Sequence, residues 1–117
     1  METVKNIIKD AFALIRGIKR NSWSYSYSEA VYYDNQKTWR KFNALLKGLA
    51  DCHIKDVLYT IATSTYQLLT NLPDEAPTPE LDFAKAETAV LSMVGTDERN
   101  YQNALAALMA RFNRPLV

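Results

Sequence analysis

Apolar side chains recur every three or four positions along most of this chain, and the recurrence breaks at only a few places. Val4, Ile7, Ile8, Ala11, Leu14, Ile15 and Ile18 form a first series behind Thr3, a residue suited to an N-cap. That spacing lines one side of a helix and predicts one over residues 4–19. Trp39, Phe42, Leu45, Leu46 and Leu49 form a second series. Ser28 can cap its helix, although the irregular stretch 30–36 leaves a start nearer Asn35 open. The third series, Ile54, Val57, Leu58, Ile61, Thr65, Leu68, Leu69 and Leu72, is the longest. It predicts a helix over residues 51–72, on the order of 30 Å long, as the spine of the core.

Residues 73–79, PDEAPTP, interrupt the pattern. Thr78 as cap, Pro79 in the first helical position and Glu80 behind it predict a fourth helix over 79–94. Its apolar residues face more than one way, which suits a helix between neighbours or at a subunit contact. Gly95 and Thr96 then close it and open a fifth, over 97–112, that buries Tyr101, Leu105, Leu108 and Phe112. Ala104, Ala107 and Ala110 there would let another helix approach, so helices 79–94 and 97–112 are the expected surface of a homodimer. The fold expected is all-α, a single-domain bundle of four to five helices over residues 1–117. One segment has a different period. Ser22 to Ser28 alternates serine with Trp23, Tyr25 and Tyr27, and an extended chain would place the three rings on one side.

Composition narrows the setting. With 48% apolar and 23% charged residues, the chain has ordinary globular usage and is long enough for one core. Cys52 is the single cysteine, so no internal disulfide forms and a reducing, cytoplasmic location is expected. Lys9, Asp10 and Arg16 interrupt the first apolar series, against a signal peptide, and no uncharged run reaches the roughly 18 residues of a membrane span. The net charge of +1 conceals a split. Residues 1–55 hold ten Lys/Arg against five Asp/Glu, and residues 56–117 hold four against eight. Such a split marks an anionic partner for the first half, or two halves that attract within the fold or across a dimer.

Little points to catalysis. His53 is the only histidine, and helix neighbours such as Cys52 and His53 point about 100° apart, so the pair cannot share an ion. The glycines stand alone at 17, 48 and 95, without a phosphate-binding loop, and the carboxylates form no evident pair. No catalytic residue, metal or cofactor is therefore expected. Ala44, Gly48 and Ile54 fall at the small, turn and buried positions of a helix-turn-helix, and Leu49 and Val57 continue its apolar pattern. The segment resembles that motif, which implies a helix in the major groove of DNA. Asp51 and Asp56 would then face phosphates, which repel carboxylates.

The stretch 20–42 is the candidate site. Two tryptophans and four tyrosines lie there among basic residues. Arg20, Trp23, Tyr25, Tyr27, Tyr32, Lys37, Arg40 and Lys41 are the candidate partner-binding residues, and Tyr, Trp and Arg among them are the types enriched where proteins bind proteins. The same residues can stack bases and hold phosphates. The reading is a small non-enzymatic binding protein (a regulator, adaptor or inhibitor) with a protein partner. A nucleic-acid binder is the alternative, and no membrane is involved.

Overall fold

The computed structural model describes residues 2–22, 27–95, 99–103 and 105–106. Helix α1 spans Glu2–Arg16, α2 Glu29–Leu46, α3 Cys52–Thr70 and α4 Phe83–Met93. Residues 99–103 and 105–106 are helical as well, and no strand occurs among the described residues. The all-α bundle is thus as the periodicity predicts.

The core forms where the apolar stripes of these helices meet. Ile8, Ala11, Phe12 and Ile15 of α1 lie against Ile54, Val57, Leu58, Ile61 and Ala62 of α3, with Phe42, Leu46, Val90 and Met93 closing the cluster. The longest row of buried residues belongs to α3, yet α1 is the helix that packs on each of the other three. Phe12, fully buried, is absent from the stripe read off the sequence, whereas Val4, Ile7 and Leu14 of that stripe are only partly covered. The buried line of α1 therefore runs one side-chain width from the expected one. The hydrophobic residues of α4 are largely absorbed inside this chain, because Ala86, Val90 and Met93 face α1 and α3. Most of the expected 97–112 helix, the other half of the anticipated dimer surface, lies outside the described residues.

The joints differ from expectation, each for a visible reason. The first helix stops at Arg16 rather than at residue 19. Gly17 and Ile18 donate to Leu14 and Ile15 in a tightened last turn. Lys19 N–H then turns to Asn35 Oδ1 at 2.8 Å, and Lys19 C=O accepts from Asn35 Nδ2 at 2.9 Å. The second helix does start at the Ser28 cap, with Val31 N–H donating to Ser28 Oγ. The fourth starts at Phe83, four residues later than its expected position. Thr78 Oγ1 accepts from Arg20 instead of capping, and Asp82 Oδ1 takes Lys85 N–H at 2.9 Å. Gly95, with φ 77°, follows α4 in the left-handed region where a side chain would be strained.

Candidate functional site

Three consecutive residues after α1 fix how the 20–42 stretch is held. Lys19 is bonded to α2 through Asn35, and its Nζ pairs with Asp34 at 2.8 Å. Arg20 donates from Nη2 to Pro73 C=O at 2.6 Å and from Nη1 to Thr78 Oγ1 at 2.9 Å. Its guanidinium therefore holds the 73–78 connection down. Asn21, 5% exposed, sends its backbone N–H to Leu69 C=O, one of the carbonyls a helix end leaves unpaired. Its side-chain amide exchanges two 2.9 Å bonds with the backbone of Ser28. Residues 21 and 28 are thus fastened side by side, whereas seven residues of straight strand would separate them by roughly 23 Å. Trp23 and Tyr25, with the middle of the expected ribbon, lie outside the described residues.

Tyr27 is exposed, and its ring lies 6.1 Å from that of Tyr32. Tyr32 meets Tyr33 edge-on at 5.4 Å. Desolvation, then the neighbouring Tyr32 and Glu29, hold the Tyr27 phenol above its ordinary pKa, so this ring stays neutral and a hydrogen-bond donor. Further along α2, Trp39 stacks on buried Phe42 at 5.6 Å and reaches Tyr59 and Tyr66 of α3 at 5.7 and 6.2 Å. Tyr59 and Tyr66 are seven residues apart and hence about 20° from alignment on α3. Trp39, Tyr59 and Tyr66 form a seam between α2 and α3 in which Tyr59 is 49% exposed, and Tyr33, 62% exposed, stands about 120° from Trp39 round α2.

The cations stand beside the seam. Arg40 follows Tyr33 by seven positions and Lys47 follows Arg40 by seven, so these three share one row on the outward face of α2. Lys37 and Lys41, two positions either side of Trp39, lie about 160° from it round the helix. All four are exposed. The predicted site therefore separates into a ring seam and an outward basic face, and Tyr33 belongs to the second. Tyr33, Trp39, Tyr59 and Tyr66 are the contributors that the sequence reading left out. The seven-residue interval from Tyr59 to Tyr66, next to the buried stripe, was the signal for the last two.

Other candidates take structural places. Cys52 is exposed at the start of α3. The His53 ring packs at 4.5 Å on Tyr101, whose hydroxyl donates to His53 C=O at 2.9 Å. Among the described residues no three His, Cys, Asp or Glu side chains are grouped to hold a metal ion. Ala44, expected at a tight helix contact, is exposed, which removes the close packing that a helix-turn-helix needs there. An open depression beside α3, lined by Ser64, Gln67, Leu68, Asn71 and Leu72, offers no titratable group. No described helix is long and apolar enough to cross a membrane. Comparison of the chain with protein-family models, with curated proteins and with solved structures gives no match.

Proposed function

We propose that this chain works by binding another protein, without chemistry of its own, through the ring seam and the basic row beside it. One observation carries the reading. The large hydrophobic side chains left exposed among the described residues are Tyr27 and Tyr33, each beside Tyr32 near the start of α2, and Tyr59, beside Trp39 on α3. Tyrosine offers wide apolar contact with a polar tip and few rotatable bonds, and it concentrates with tryptophan and arginine where binding energy resides. Regulator, adaptor and inhibitor roles all use such a face.

A second reading rests on a different observation. Residues 35–50 carry Lys37, Arg40, Lys41 and Lys47 and no carboxylate, which suits the phosphates of a single strand whose bases stack on the tyrosines. Ring and charge mutants separate the two. For a protein partner, Tyr33→Ala, Tyr59→Ala, Trp23→Ala or Tyr25→Ala weakens capture by more than about 1 kcal/mol, with little dependence on salt. The pair Arg40→Ala and Lys41→Ala matters less. For nucleic acid, that pair weakens binding to any sequence and flattens the salt slope by roughly one unit per lost phosphate contact. Thermal melts of each variant separate lost binding from lost folding. Nuclease-resistant capture of one protein from lysate supports the proposal. Tight, steeply salt-dependent binding to plain single-stranded oligonucleotides overturns it.

A further inference from the structure

Few of the charges behind the split in the sequence pair with one another among the described residues. Among the described residues the ion pairs are Arg16 with Glu87, at 3.5 Å, and Lys19 with Asp34. Neither uses the cations that α2 carries after residue 35. Lys37 is near enough to help hold the Asp34 carboxyl low, but Arg40, Lys41 and Lys47 face solvent. Lys37 and Lys41 are also a like-charged pair at i, i+4, an arrangement that costs helix stability. The opposite charge is equally concentrated. Residues 56–84 contain five carboxylates and no Lys or Arg, and Glu75, Glu80 and Asp82 stand exposed in the non-helical stretch before α4. That stretch also carries Pro73, Pro77 and Pro79, and proline-rich extended segments dock on aromatic surfaces. Its own α2 row is a poor target. Arg20 fastens residues 73 and 78 beside the end at which α2 begins, while Arg40 and Lys47 lie roughly 17 and 27 Å further along that helix.

We infer that the outward face of α2, with Tyr33, Arg40, Lys41 and Lys47, docks the acidic, proline-bearing 75–82 segment of a second copy of this chain. The inference rests on the reading of this face as a protein-binding surface, and it names the occupant by charge and by side-chain type.

Sedimentation of the full chain tests it. Concentration-dependent self-association is expected at low ionic strength, weakening by roughly tenfold or more in 0.5 M salt as the charges are screened. The variant R40E/K41E/K47E and the variant E75K/E80K are each expected to be monomeric, because each then presents like charges on both surfaces. Mixed in equal amounts they should associate again, since the acidic face of one now meets the basic segment of the other. Helical circular dichroism of both variants guards against loss of folding, and Asp82 is left in place because it caps α4. A chain that stays monomeric at low salt up to about 1 mM overturns the inference. So does a pair of folded variants that fails to associate on mixing. Either failure leaves the capture of a different protein by Tyr33 and Tyr59 to be judged on its own assay. Loss of that capture with self-association intact would remove the proposed function alone.

Discussion

Asn21 and Asn35 perform the same task at two places in the molecule. Each turns a buried side-chain amide toward one residue's backbone and satisfies both its N–H and its C=O. Such pairs replace the partners that the chain loses where it leaves a helix. Asn35→Ala would leave Lys19 with a donor and an acceptor unpaired in a part-buried site. A loss of about 2–3 kcal/mol is expected from chemical denaturation. Asp34, one residue earlier, makes a pH prediction. The hydrogen bond from Lys19, reinforced by its charge, holds the Asp34 carboxyl below its ordinary value. The folded state therefore favours the carboxylate. Its contribution is present above the unfolded pKa near 3.8 and is lost as pH falls through the lower folded value. The gap in denaturation midpoint between the parent and Asp34→Asn should accordingly close on acidification below about pH 4. A gap that holds constant down to pH 2 would contradict this pairing.

At the scale of elements, the helices were legible and their ends only in part, since the Ser28 cap held and other ends moved. The stripe Ile54, Val57, Leu58, Ile61 and Thr65 placed α3 nearly correctly, because 3.6-residue periodicity is a property of the local sequence. The fourth helix was placed four residues early because Thr78, Pro79 and Glu80 make a valid start signal in isolation. Arg20, 58 residues away, removes the Thr78 hydroxyl from that role. Two substitutions distinguish the signals. Asp82→Ala should cost about 1 kcal/mol and fray the first turn of α4, visible in backbone chemical shifts. Thr78→Ala should leave that turn intact and loosen only the 73–82 connection, visible as faster amide exchange there. If Thr78→Ala frays α4 instead, the local signal governs after all.

Taken whole, the molecule is a flat body of 45 × 31 × 18 Å, thin enough for about two helix layers. In so thin a slab each helix keeps a wide exposed face, and the one on α2 is available for binding. The same thinness makes the shared core sensitive. Phe12 and Ile61 are both fully buried, in the two helices that supply most of the core. Phe12→Ala should cost about 3–5 kcal/mol and Ile61→Ala about 2–5, each lowering one cooperative unfolding transition. Two separated transitions in either variant would show that α1 does not tie the bundle together.

The sequence by itself determined the all-α class, the single core, the cap at Ser28, and the concentration of rings and cations between residues 20 and 42. Those features rest on periodicity, hydrogen-bonding side chains near their own helix ends, and composition, all of which act within a few residues. Only the tertiary structure decided which members of that concentration stand together. Arg20 went to the 73–78 connection because two acceptors from distant sequence converge on it. Trp39 found Tyr59 and Tyr66 across the α2–α3 seam. Lys37, Arg40 and Lys41 were turned to solvent, because burying Asn35, Phe42 and Leu46 fixes the rotation of that helix. A helix can be recognised from its own residues, but the direction its other faces take depends on what its buried face packs against.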